Sequence, residues 1–132
     1  MAHRAVFFLN TASYELAWQA TSLALTAAAM GDEVIVVLGF DALRALTSGR
    51  FGQPTSDLEK ACLERGERIG AAVPSRMLAD ARSLGAKLLA CDTTVRLCGL
   101  ESAALEQAKL VDEVLGLAQI WRLTQGARVL TY

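Results

Sequence analysis

The residue of this chain best suited to chemistry is Cys91, which directly follows an apolar segment over residues 86–90 that predicts a buried strand. The polar segment Asp92-Thr93-Thr94 comes next and is expected to turn into a short helix that ends near Cys98-Gly99. Free backbone N–H groups and the positive end of the helix dipole would favour the thiolate of Cys91, and would equally hold a persulfide anion. The hydroxyls of Thr93 and Thr94 add two donors, so the pattern predicts a nucleophilic cysteine.

All three cysteines also allow structural interpretations. A free cysteine often packs in a core as a small apolar side chain, and Cys91 fits that description too. On a continuous helix Cys98 would lie roughly 10 Å from Cys91 along the axis, which is too far for a disulfide. A non-helical loop would bring the two together, so a resolving role for Cys98 stays open. Cys62 lies inside a predicted helix, where we expect a packed core thiol.

Other site chemistries find little support in the sequence. The spacing of Cys91 and Cys98 is not that of a zinc site, and the only histidine is His3. Neither early strand is followed by a G-x-G-x-x-G or Walker sequence, and a Ser-His-Asp triad lacks a credible histidine. We therefore expect neither a metal nor a cofactor.

The composition is that of a folded domain. The 132 residues are 53% hydrophobic and 20% charged, with a formal net charge of -1, so we expect one domain over residues 1–132. The charge balance gives no reason to expect nucleic acid or an anionic membrane surface as a partner. No apolar segment reaches the roughly 18 residues of a membrane span, and the apolar run at residues 5–9 is too short for a signal sequence. We expect a cytoplasmic protein, and an odd number of cysteines there argues against a disulfide framework.

Strands and helices alternate in the predicted order. Apolar runs predict strands at residues 5–9, 33–38, 86–90, 109–112 and 127–132. Helical spacing and caps predict helices at residues 13–30, 41–46, 57–69, 74–85, about 94–98, 102–108 and 115–125, with an irregular loop at residues 47–56. Such alternation predicts an α/β fold with a mainly parallel sheet and helices on both faces.

Ligands of such sheets bind outside the carboxyl ends of the strands, where the loops at residues 10–13, 39–41 and 91–94 meet. The candidate pocket residues beside Cys91 are Asn10, Thr11, Ser13, Gly39, Phe40, Thr93 and Thr94. Trp18 and Trp121 are interpreted as core or subunit-interface anchors.

Several segments resemble a known family. Residues 26–34 place Ala-Ala-Ala-Met-Gly before a strand, Gly39-Phe40-Asp41 follows that strand, and Leu88-Leu89-Ala90-Cys91 precedes a short polar helix. In these respects the chain resembles the DsrE/DsrF-like family, within it the DsrE2 branch, which also carries the label "peroxiredoxin family". The resemblance implies a three-layer α/β/α fold with a five-stranded parallel sheet. It also implies homo- or hetero-oligomers, often trimers or hexamers, of which we expect a homo-oligomer. It implies a sulfur carrier with the persulfide on Cys91 and a TusA-like or rhodanese-like partner. No role carries over to Cys98.

Two functions follow as hypotheses. The first is a sulfur-relay protein in which Cys91 takes a persulfide sulfur and passes it to an acceptor thiol. Arg96 would lend positive charge to that site or be a plain surface residue. The second is a non-catalytic oligomeric module that binds a small ligand, with Cys91 in the pocket wall and residues 47–56 as a lid. A thiol peroxidase is disfavoured, because no Pro-x-x-x-Thr-x-x-Cys arrangement precedes any cysteine.

Overall fold

The structure is a computed structural model that describes residues 3–132 of the chain. Its strands are β1 (Arg4–Leu9), β2 (Glu33–Leu38), β3 (Lys87–Cys91), β4 (Glu113–Leu115) and β5 (Arg128–Thr131). They form one sheet in the order β4-β3-β2-β1-β5, and every neighbouring pair is parallel. The predicted α/β class with a five-stranded, mainly parallel sheet is confirmed.

Seven helices flank this sheet in the described residues. They are α1 (Tyr14–Ala29), α2 (Phe40–Thr47), α3 (Asp57–Ile69), α4 (Pro74–Ser83), α5 (Asp92–Leu97), α6 (Ser102–Gln107) and α7 (Leu117–Leu123). The buried residues form two core clusters. The larger cluster lies between one face of the sheet and most of the helices. The opposite face packs against α7 through the fully buried Ile120. The three-layer arrangement is therefore present, but its two helical layers are very unequal.

The alternation of side chains along β1 shows how the strands serve both faces. Phe7 and Leu9 enter the larger cluster, whereas Val6 enters the smaller one with Phe8 packed against it. Small residues of α1, including Ala17, bring that helix close to the sheet. An apolar run without polar alternation is the sequence pattern of a strand buried on both faces.

The connections after β3 and β4 leave the sheet in opposite directions. From β3 the chain enters α5, where Val95 belongs to the larger cluster. From β4 it enters α7 on the other face. Cys91 and Leu115, the last residues of these two strands, are register partners. In open parallel sheets the crevice at such a divergence is where ligands bind, and Cys91 lies at its base.

The predicted strand at residues 109–112 is wrong, because β4 is Glu113–Leu115. Lys109 has a φ of 57°, in the left-handed region, and so terminates α6 instead of extending. The Asp112 carboxylate accepts hydrogen bonds from the Leu88 N–H at 2.7 Å and from Arg82 at 2.8 Å. These bonds fix the start of β4 against β3, so the strand begins at Glu113, directly after Asp112.

Several predicted boundaries shift by a few residues. Cys91 is the last residue of β3 and not the residue after it, and α5 begins at once with Asp92. Helix α2 starts at Phe40 with Gly39 as its N-cap, while Asp41 pairs with Arg44 instead of capping. Helix α7 starts at Leu117, because residue 115 belongs to β4.

The tryptophans differ in environment. Trp121 is 74% exposed, so its interpretation as a core residue is wrong, and Trp18 is half-buried. Over residues 3–132, no helix has the length and apolar character needed to cross a membrane.

Glu59 is a buried carboxylate that joins the start of α3 to the start of α1. It is 4% exposed, and its oxygens accept hydrogen bonds from the Glu15 N–H at 2.8 Å and from the N–H and hydroxyl of Thr55 at 2.9 and 2.8 Å. Burial by itself raises the pKa of the Glu59 carboxyl, but these donors outweigh it and the pKa lies below its ordinary value. Glu59 thus holds the loop that leads from β1 into α1.

Replacing Glu59 by alanine is expected to lower the free energy of unfolding by roughly 2–3 kcal/mol, because buried donors lose their acceptor. Glu59→Gln removes the charge with little change of shape. Since the folded pKa is depressed, the carboxylate stabilises the protein above its unfolded pKa, and this contribution disappears as the pH falls through the folded pKa. Urea unfolding from about pH 7 to about pH 3 should therefore show wild type and Glu59→Gln converging in acid. The exposed Glu64→Gln is the matched control, and an equal effect there would contradict this role.

Candidate functional site

The Cys91 side chain sits where β3 passes directly into α5. Cys91 is the N-cap of α5, has an extended backbone (φ -79°, ψ 130°) and is 9% exposed. The backbone N–H groups and the hydroxyls of Thr93 and Thr94 face the sulfur. The Cys91 side chain makes no capping hydrogen bond in the described structure.

The pKa of the Cys91 thiol reflects two opposing effects. Burial is the largest single influence and raises the pKa, because it disfavours the charged thiolate. The N–H and hydroxyl of Thr94, followed by those of Thr93, lower it and together outweigh burial. The pKa therefore lies below its ordinary value, and the thiolate fraction at neutral pH is raised.

A cavity of about 300 Å³ opens directly onto this sulfur. The structure brings together four of the sequence-predicted pocket residues in its wall, namely Asn10, Gly39, Thr93 and Thr94. They come from the carboxyl ends of β1, β2 and β3, which are adjacent in the sheet. The cavity thus has the position that the sheet topology favours for a ligand.

Gly39 allows the close approach of two of these walls. A methyl group at this position would collide with the Asn10 side-chain oxygen and would lie 3.5 Å from the Thr94 methyl carbon. The φ of Gly39 is -141°, so the requirement is for space and not for an unusual backbone conformation. Glycine therefore lets the Asn10 amide and Thr94 share the rim beside Cys91.

Three other predicted pocket residues lie elsewhere. Thr11 and Ser13 line a separate cavity of about 340 Å³ together with Arg44 and Arg50. Phe40 lines neither cavity, is 43% exposed and has a φ of 40°. Such a left-handed backbone costs roughly 1 kcal/mol or more in a non-glycine residue. The predicted pocket is therefore two neighbouring cavities, and only one of them reaches Cys91.

The apolar part of the cavity wall was absent from the sequence-predicted site. It consists of Phe8, Val37, Leu38, Leu117 and Ile120. The strand residues of the wall could have been predicted from the sequence, since they directly precede the loops identified at the sheet edge. The α7 residues of the wall could not have been predicted, because they reach the cavity only when the β4–α7 connection crosses to the opposite face of the sheet.

The remaining candidates for chemistry lie outside the Cys91 cavity. Cys98 accepts a hydrogen bond from Arg44 at 3.4 Å, and Cys62 is half-buried in α3. Arg96 pairs with Asp92 at 2.7 Å and is exposed, which fits its interpretation as a surface residue. The predicted lid at residues 47–56 does not line this cavity, because Phe51 packs into the larger core cluster and Arg50 lines the other cavity. Between His3 and Tyr132, no three His, Cys, Asp or Glu side chains form a metal-binding group.

The Thr94→Val variant tests the balance that sets the thiol pKa. Valine keeps the shape and the backbone N–H of residue 94 but removes its hydroxyl, so the pKa of Cys91 should rise. The measurement is the rate of alkylation by iodoacetamide against pH in a Cys62→Ser/Cys98→Ser background. We expect a midpoint below the free-cysteine value of about 8.5 before the substitution and a higher one after it. Thr124→Val, which alters a hydroxyl bonded to the Trp121 carbonyl, should leave the midpoint unchanged. An alkylation midpoint that is the same in Thr94→Val as in the parent protein would contradict the role of the Thr94 hydroxyl.

Comparison with known proteins does not identify a family. A scan against protein-family models finds no match, and a search among curated proteins finds no relative of this chain. The resemblance to the DsrE/DsrF-like family therefore stays a prediction.

Proposed function

We propose that this protein is a sulfur carrier that holds a persulfide on Cys91 between a sulfur donor and an acceptor thiol. The single observation that carries the proposal is the setting of the Cys91 sulfur. It lies at the start of α5, where the N–H and O–H groups of Thr93 and Thr94 lower its pKa, and it borders a cavity that these two threonines also line. This setting favours the thiolate, which is the attacking form in sulfur transfer.

The same donors suit the product of the transfer. A persulfide adds one sulfur beyond the Cys91 sulfur, at an S–S distance of about 2.05 Å. The cavity offers room for that sulfur, and hydrogen-bond donors at its base stabilise the negative charge of the ionised persulfide. No general base is needed, since thiolate exchange proceeds through direct attack on sulfur.

The absence of a second cysteine from the cavity wall favours sulfur carrying as the function of Cys91, rather than disulfide formation. Among the described residues, Cys91 is the only cysteine that lines this cavity, and all three cysteines are free thiols. A neighbouring thiol would attack the persulfide and release the sulfur at once. Without one, the persulfide persists until an acceptor thiol from another molecule reaches it.

The proposal includes a cytoplasmic location, where thiols are kept reduced, and an acceptor or donor protein of the TusA-like or rhodanese-like kind. Its support is chemical: such a partner presents a cysteine that exchanges sulfur with another thiol. The apolar walls of the cavity also suit the alternative function, a non-catalytic module that binds a small ligand. A Cys91 midpoint at or above about 8.5 in the alkylation experiment would favour that alternative.

The direct test is sulfur loading followed by intact-mass measurement. The reduced protein is incubated with the persulfide of 2-mercaptoethanol, freed of reagent and weighed. We expect a gain of one sulfur atom that is lost on adding excess thiol, and no such gain in Cys91→Ser. The Cys62→Ser and Cys98→Ser variants are matched controls and should load normally. A gain that persists in Cys91→Ser would remove Cys91 from the proposed role.

The proposal further includes a homo-oligomer, a trimer or hexamer, formed through the face that carries α7. This face exposes large apolar side chains, with Trp121 at 74% and Leu117 at 68% exposed and Val129 near them. Exposed aromatic residues of this kind are enriched at the cores of protein interfaces.

Light scattering during size-exclusion chromatography tests this assembly. Trp121→Ser should shift the measured mass toward that of the monomer, because it removes the largest exposed apolar side chain of α7. Leu58→Ser, an equally exposed apolar residue on α3, should not. A wild-type protein that is monomeric at all concentrations would refute the oligomer.

A further inference from the structure

The walls of the Cys91 cavity are mostly apolar. Phe8 of β1, Val37 of β2, and Leu117 and Ile120 of α7 line the space beside the sulfur, whereas the Leu38 side chain packs into the core of the opposite face. The cavity has a volume of about 300 Å³ and opens to solvent. The cavity therefore suits a small molecule with a hydrocarbon part.

No charged side chain lines the cavity in the described part of the chain. Among residues 3–132, its polar lining residues are Asn10, Thr93 and Thr94, none of which is charged. The adjacent Asp92 carboxylate is bound to Arg96 at 2.7 Å and to the Ser102 hydroxyl at 3.4 Å, outside the cavity. A Cys91 thiolate would thus be held by dipoles alone.

An anionic donor would meet two costs in this setting. Its charge would be repelled by the Cys91 thiolate without a cation to offset the repulsion, and its water would be stripped by apolar walls. A neutral donor with a short hydrocarbon chain meets neither cost and gains from burying that chain.

We infer that the sulfur donor of this protein is a small alkyl persulfide, R–S–S–H, whose group R carries no charge. This inference rests on the proposed sulfur-carrier function. It excludes thiosulfate and persulfides of thiols that carry several charges as efficient donors.

The transfer is balanced without any other reactant. The Cys91 thiolate attacks the outer sulfur of R–S–S–H, a new S–S bond forms, and the bond between the two donor sulfurs breaks. The electron pair of that bond leaves with R–S⁻, and the outer sulfur keeps its hydrogen. The products are Cys91–S–S–H and R–S⁻, which takes a proton from water, so the total charge and the oxidation level are unchanged.

Disulfide-forming reagents of different charge test the selectivity separately from sulfur transfer. Butyl methanethiosulfonate is neutral, and its sulfonatoethyl analogue is anionic. Both are reacted with a Cys62→Ser/Cys98→Ser protein and with 2-mercaptoethanol as the reference thiol. Relative to the reference, Cys91 should prefer the butyl reagent by at least about tenfold.

Substitution of Leu117 supplies the matched variants, because this wall residue is exposed enough to change without disturbing the core. Leu117→Lys places a cation at the cavity and should raise the relative rate of the anionic reagent several-fold. Leu117→Gln makes the wall more polar without adding charge and should raise it less than Leu117→Lys does. Equal reactivity of the two reagents in the parent protein, or an anionic rate that Leu117→Lys leaves unchanged, would overturn the inference.

Persulfide loading separates this inference from the proposed function. Butyl persulfide should add one sulfur to Cys91 faster than thiosulfate does. If the reagents show the selectivity but no persulfide ever loads, the carrier function fails. If sulfur loads equally well from thiosulfate and butyl persulfide, the function stands and the donor class is wrong.

Discussion

The connections that leave β3 and β4 turn to opposite faces of the sheet, and the cavity at the Cys91 sulfur is lined by the start of α5 and by α7. The two strands are held in register by their ladder and by Asp112, whose carboxylate and backbone N–H both bond to Leu88. Because β4 has only three residues, these extra bonds matter for its position. If β4 moved, α7 would move with it, and the cavity would lose Leu117 and Ile120.

The chemistry of the site follows from what the divergence leaves at the strand end. Helix α5 starts without an intervening loop, so the N–H groups of its first turn remain beside the sulfur. They offset the cost of holding a thiolate at a largely buried position, as the direction of the Cys91 pKa shift shows. Uncharged N–H and O–H groups stabilise the thiolate without attracting other anions to the cavity. This is the physical origin of the expected preference for neutral sulfur donors.

Much of this arrangement could be predicted from the sequence, but only where local patterns decide the structure. Apolar runs located β1, β2 and β3, and the pairing of polar residues with strand ends brought Asn10, Gly39 and Thr94 to the Cys91 side of the sheet. The position of β4 could not be predicted, because it depends on a long-range bond between Asp112 and Leu88 and on a left-handed Lys109. Thr11 was misplaced for a similar reason: its neighbour Asn10 points to one cavity, whereas Thr11 lines the next.

Helix α7 shows why part of the cavity wall could not be predicted from the sequence: its position depends on tertiary packing. In the sequence it is a short amphipathic segment, and its Trp121 is as consistent with a core as with a surface. In the structure it is the helix that covers the second face of the sheet, with Ile120 buried against the strands and Trp121 turned outward. Leu117 and Ile120 line the Cys91 cavity, and both also border the apolar hollow beneath Trp121. A molecule that binds over Trp121 would therefore contact the same residues that line the Cys91 cavity.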